Sequence, residues 1–344
     1  MTIGHRWLRV AVAALACGTA LLGRPGPAGS AQAPAPRALD PLRLITFTPP
    51  LVLSVAQERG FFAAEGLAVE HTITNSSREL MTGVLDGTYD IAFTNPDNWI
   101  TYAVRDGADV FMFQGIVGPT ERTLVARPEI HAVADLRGQA IAVDAVDSGF
   151  VLILWQILAD HGLDFRTGDP RLVPVGAPAQ RLASMERGET VAAILVSPQT
   201  EEALARGYRV LGRSLEHLPQ YPGPQGGTTR RWAAANEDRL VRFIRAYVAA
   251  TAWALAPANR EEALGIHQRR AGLERTAAED DYAAVQPDAT INIPGIQLVL
   301  DLRAALGFLP APPPPAEQFY DARYWEQATG RPHPRAAGGR TGTS

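Results

Sequence analysis

From residue 42 onward, short apolar runs alternate with longer segments whose apolar residues recur at helical spacing. The runs 42–47, 67–74, 90–94 and 110–114 read as strands. Between them, 50–59, 78–86 and 99–105 carry helical spacing and stop at Gly60, Gly87 and Gly107, where a glycine ends a helix readily. A strand over 123–127 leads into a second block of the same kind: strands over 140–144, 171–175, 192–196 and 208–211, with helices over 150–161, 179–187 and 199–206. A single helix between successive strands imposes parallel pairing, because a parallel neighbour needs a crossover. The pattern predicts an α/β fold of two blocks with mixed, mainly parallel sheets. The Pro- and Gly-rich stretch 219–227 reads as a boundary, 228–234 as strand-like, and 238–255 as long helix.

Composition sharpens this picture in three ways. A chain of 344 residues with 46% hydrophobic residues can build two ordinary cores. All 32 basic residues are arginine, so no lysine is available for a Schiff base or a phosphate loop. The net charge of −4 and a pI near 6.0 argue against a nucleic-acid partner, which calls for a clustered basic face.

The first 31 residues read as an export signal. His5, Arg6 and Arg9 precede an apolar stretch from Val10 to Leu22, and the small residues Ala28, Gly29, Ser30 and Ala31 suit cleavage near Ala31. Removal takes Arg6, Arg9 and Arg24 but no acid, which moves the net charge from −4 to −7. A lipid anchor at Cys17 is the weaker alternative, since Ala14 stands where such motifs place leucine. Cys17 is the sole cysteine, so the exported chain is expected to have no disulfide, no thiolate nucleophile and no cysteine-held metal.

Four strand ends run straight into helices through polar or proline-bearing turns: Thr48-Pro49-Pro50, Asn95-Pro96-Asp97-Asn98, Asp147-Ser148-Gly149 and Ser197-Pro198. Asn95 and Ser197 suit N-caps with proline at the first helical position. At the carboxyl edge of a parallel sheet such turns present backbone N–H groups where ligands bind. Each turn alone reads more readily as an ordinary cap; four of them, two per block, point to a cleft.

Longer stretches carry a resemblance. VLSVAQERGFFAAEGLAVE (52–70), LMTGVLDGTYDIAF (80–93) and VADLRGQAIAV (133–143) resemble, in order and spacing, the substrate-binding proteins of the nitrate/sulfonate/taurine and thiamine-precursor importer group, and DNWITY (97–102), GIQLVLDLRAALGF (295–308) and EQFYDARYW (317–325) resemble one branch of it. The resemblance implies a type II periplasmic-binding-protein fold with a hinge of two crossovers. It places lobe 1 in 41–125 and 216–330 and lobe 2 in 126–215; the Pro/Ala-rich 32–40 reads as a linker after the 1–31 signal, and the Gly/Arg/Pro-rich 331–344 as a disordered tail. It implies capture of a small molecule at the hinge for an ABC permease in the inner membrane, in the periplasm, by a monomer that is not an enzyme and needs no cofactor. The ligand loops then fall on Thr48, Pro49, Asn75, Ser76, Asn95, Asp97, Asn98, Asp147, Ser148, Gly149 and Ser197, with Gln114 a further candidate. Asp97 would gain nothing from an anion, so with Asp144 and Asp147 it favours a cationic, amino or heteroaromatic ligand over nitrate or sulfonate. Its alternative role is to stabilise the first turn of its helix. Phe47, Phe150 and Trp99 are ring-stacking candidates that read more readily as core.

Two rival functions stand beside this one: a ligand sensor for a membrane receptor, and a pyrimidine-precursor enzyme of the same superfamily, whose cysteine-rich motif is missing here. The seven histidines form no zinc spacing, and Asp147-Ser148-Gly149 is no hydrolase elbow.

Overall fold

The computed structural model describes residues 38–334. The expected export signal with Cys17, most of the linker, and residues 335–344 lie outside the described residues. Ten strands form two five-stranded sheets: β1 Asp40–Thr46, β2 Leu67–Ile73, β3 Ile91–Thr94, β4 Val110–Gly115, β5 Thr123–Ala126, β6 Ala140–Val143, β7 Arg171–Pro174, β8 Ala192–Leu195, β9 Arg209–Arg213 and β10 Gln225–Thr229. The first sheet has the order β2-β1-β3-β10-β4 and the second β7-β6-β8-β5-β9. In each, the strands joined by helices pair in parallel, β1 with β2 and β3, β6 with β7 and β8. One strand that has crossed over runs antiparallel to its neighbours, β10 between β3 and β4 and β5 between β8 and β9. The chain therefore passes between the sheets twice, over 116–122 and 214–224.

One face of the first sheet carries Phe93, Phe111 and Phe113 against the helix Glu237–Leu255, where Phe243 stacks on Phe62 at 5.2 Å and Tyr247 meets Phe93 edge-on at 5.7 Å. The opposite face does not end with its own sheet. Ile45, Ala92 and Met112 join Leu124, Ile141 and Ile194 of the second sheet in one continuous apolar cluster. The helix Ile293–Ala305 sits in that cluster and touches both Pro96–Arg105 and Gly149–Ala159.

The structure departs from the expected pattern mainly at β10. The end of the Gly-rich stretch read as a boundary, from Gln225, forms a buried inner strand with Thr228 and Thr229 of the segment expected to be strand-like, and the rest of that segment is the helix Arg230–Ala235, capped by Thr229. The glycines are there for closeness: a Cβ on Gly227 would lie 2.5 Å from the Trp99 ring. Trp99 is thus core, and its Nε1 donates to the Gln225 carbonyl at 3.3 Å. Two boundary expectations also shift. Asp40 belongs to β1 and accepts from Arg242 at 2.6 Å. Residues 331–334 are packed rather than loose: the buried His333 accepts from the Ile291 amide at 3.0 Å, and Arg331 lies 5.1 Å over Trp325. β5, read as leaving the first block, pairs in the second sheet from Thr123 onward, which starts the crossover before the expected 125/126 division.

Candidate functional site

The strand order determines where each sheet can open. β1 and β3 are neighbours, yet the helix after β1, Leu51–Glu58, packs on the Phe93 face and the helix after β3, Pro96–Arg105, on the opposite one. In the second sheet the helix after β6, Gly149–Ala159, and the helix after β8, Gln199–Ala205, likewise part to opposite faces of neighbouring strands. Each divergence leaves a crevice at the carboxyl edge, where open α/β sheets bind ligands.

The two crevices face each other. A Cβ on Gly149, at the edge of the second sheet, would stand 3.3 Å from the Asp97 side chain at the edge of the first. Three side chains close this seam. The Arg303 guanidinium, delivered by Ile293–Ala305, pairs through Nη1 with the Asp97 carboxylate and donates to the Asp147 carbonyl at 3.1 Å. The Tyr221 hydroxyl, from the second crossover, donates to the Gly149 carbonyl at 3.1 Å. Arg122, from the first crossover, lies 5.4 Å over the Tyr221 ring. Burial raises the Asp97 carboxyl, against the pull of Arg303; burial also raises the Tyr221 phenol and lowers Arg122.

Deeper in the second sheet's edge, the buried Arg181 lies 3.5 Å from Asp144 and 4.4 Å over the Phe150 ring. Asp144 also accepts from the Ser148 hydroxyl at 2.5 Å, and Ser148 caps its helix at the Val151 amide. Asp97 and Asp144 thus each have an arginine, which reduces the acidic bias expected from the sequence at the seam. Asp97 in particular is not a lone carboxylate awaiting a cation. Its partner is 206 positions away, in a stretch whose family resemblance was legible but whose arginine carried no local signal.

The remaining expected residues separate into three groups. Thr48 and Pro49 line a pocket of about 70 Å³ between β1 and the first crossover, with Phe47, Phe93, Val117, Pro224, Val285 and Asp281. Asn95, Asn98 and Gln114 lie at the first sheet's edge. Asn98 donates to Thr94 at 2.7 Å, whereas Asn95 Oδ1 and both amide atoms of Gln114 are buried with no partner among the described residues. Asn75, Ser76 and Ser197 are exposed and join neither the seam nor the pocket. Ser76 caps the helix Ser77–Leu85 through the Glu79 amide. Two cap expectations are corrected. Asn95 flanks its helix but its side chain makes no capping bond, and Ser197 precedes the cap, because Pro198 takes that position and the helix starts at Gln199.

A further constellation had no counterpart in the sequence reading. His267 Nδ1 lies 3.2 Å from Ser54 Oγ and its Nε2 2.8 Å from Asp281 Oδ2. Ser54 and His267 are fully buried, so the serine oxygen is closed to any substrate.

The sequence profile of the NMT1-like family matches residues 43–267, about two thirds of the chain. The chain belongs to the NMT1-like family. Solved structures agree with it in fold. The alkanesulfonate-binding protein SsuA from Xanthomonas axonopodis is 22% identical, with a TM-score of 0.66 over 83% of this chain and 100% of its own. The ligand-binding component of an ABC-type import system from Staphylococcus aureus is 13% identical, with a TM-score of 0.66 over 84% and 99%. The desulfurization enzyme DSZB is 16% identical, with a TM-score of 0.64 over 85% and 99%. No curated protein matches the sequence. This member of the family therefore has the periplasmic-binding-protein fold, and its neighbours in fold include both binding proteins and an enzyme.

Proposed function

We propose that this chain is a periplasmic solute-binding protein that captures a small organic molecule between its two sheet edges and delivers it to an ABC permease. The observation that carries this reading is the seam: two crevices face each other and are held shut by Arg303, Tyr221 and Gly149. Closure of two lobes about paired crossovers is how such a clamp encloses its cargo. Gln114 and Asn95 add support, because a buried polar atom without a partner costs on the order of 1–3 kcal/mol and a bound ligand relieves that cost. The binding components among the structural relatives point the same way.

Binding without chemistry is the better reading of the side chains. Ser148 is bonded to a carboxylate rather than to a histidine. The Ser54–His267–Asp281 chain has its nucleophile sealed in a helix interior. Among ligands, the preference for a cationic, amino or heteroaromatic molecule remains our reading, but the pairing with Arg303 removes Asp97 as its receptor.

A thermal-shift screen of the purified protein against amines, heteroaromatics, sulfonates and nitrate tests the proposal. A ligand at a hundredfold excess over its Kd should stabilise by about 2.7 kcal/mol. Turnover of a compound with no shift in the melt by any member of the panel would make the chain an enzyme instead.

A further inference from the structure

The pocket beside the first crossover has a wall of one kind and a charge of one sign. Phe47, Phe93, Val117 and Val285 make it apolar and partly aromatic, and Thr46 and Thr48 are its neutral polar members. Asp281 is the single ionisable residue in the lining. Its carboxylate is set by a brace. Ser54, from Leu51–Glu58, holds His267 Nδ1, and His267, from Arg260–Ala271, turns its Nε2 onto Asp281 Oδ2. These two contacts orient the Asp281 carboxylate. Its other oxygen takes no bond among the described residues. Asp97 and Asp144, by contrast, are each matched by an arginine.

Helix ends decide little against this. The N-terminus of Leu51–Glu58 faces the pocket and favours negative charge through the free N–H groups of Leu51 and Val52. Asp281 itself sits near the C-terminus of Arg275–Ala283, a partial negative charge of the same sign as its own. A full carboxylate on a half-enclosed apolar wall outweighs a fractional dipole end.

We infer that this pocket is the ligand-class-determining subsite, in which Asp281 receives a protonated amine or other N–H cation carried on an apolar or aromatic group. This deepens the binding-protein reading and rests on it. Here His267 is a positioning residue and Asp281 the contacting one.

The test uses three probes that share one ring: benzylamine, benzyl alcohol and phenylmethanesulfonate, titrated calorimetrically into the purified protein. Benzylamine should bind on the order of tenfold more tightly than benzyl alcohol, and phenylmethanesulfonate most weakly. Asp281→Asn should erase the preference for the amine. Asp281→Glu should restore part of it, and His267→Gln should weaken amine binding without abolishing it. Wild-type protein that binds the alcohol or the sulfonate as tightly as the amine, or that binds no benzylamine, overturns the inference. So does an Asp281→Asn variant with unchanged amine preference. If the sulfonate binds where the amine does not, the capture role stands and only the ligand class falls. If no member of this set or of the wider metabolite panel binds, the capture role falls with it.

Discussion

The seam and the pocket each contain an aspartate at the edge of the first sheet, and the fold treats them in opposite ways. Asp97 is buried and tied to Arg303, which binds both sides of the seam. Asp281 is half exposed and held by a histidine that is itself held by a serine. The difference shows that a carboxylate is free to receive a ligand only where the tertiary structure has not already given it a cation. Asp97 acts as part of a latch, and Asp281 as part of a receptor.

The largest test of that contrast removes the latch's cation. Arg303→Met should destabilise the protein by about 3–5 kcal/mol, because it leaves Asp97 as a buried charge without its partner. Denaturant unfolding gives the number. The same variant should have an unusual pH response. Burial already raises Asp97, and without Arg303 nothing opposes it, so the native state binds a proton that the unfolded chain does not. Its stability should therefore increase as pH falls from 7 towards the usual carboxylate range. In the wild type, Asp160 and Asp164 are held below that range by bonds from His217 and Arg166, and these contributions are lost as pH falls through the lowered values.

A smaller effect is expected from Gly149→Ala. The added methyl would stand 2.8 Å from the Tyr221 hydroxyl, so the seam must part or the tyrosine must move, at a cost of about 1–3 kcal/mol. Small-angle scattering should show an increased radius of gyration; an unchanged profile with an unchanged melt would mean the approach is slack. Tyr221→Phe removes one bond to the Gly149 carbonyl and should cost about 1 kcal/mol, read from the thermal midpoint. Least of all, Asp281→Asn should alter stability by no more than about 0.5 kcal/mol, as befits a half-exposed receptor. A loss as large as that of Arg303→Met would erase the distinction between the two aspartates.

Much of the framework was legible in the chain because it is written locally. Strand and helix periods, the glycines that stop helices and the order of blocks all depend on neighbours within a few residues, and the strands from β1 to β8 fall within two residues of their expected limits. β10 was hidden for a physical reason. A strand of Gln-Gly-Gly-Thr-Thr has no apolar run, because the Trp99 ring from another element supplies its hydrophobic cover. The turns also gave mixed returns. Thr48 and Pro49 do line the pocket, while Asn75, Ser76 and Ser197 have the residue types of a ligand loop but face solvent away from both features.

What the sequence determined by itself was therefore the set of elements and the loops that reach the sheet edges, since hydrophobic period and turn chemistry act over short distances. The tertiary structure alone decided the electrostatics of the site. Arg303 joins Asp97 across 206 positions and Arg181 joins Asp144, whereas the contact between His267 and Ser54 spans 213 and places Asp281 in the pocket. Charge acts through space rather than along the chain, and pairings at such separations exist only once the elements have packed together.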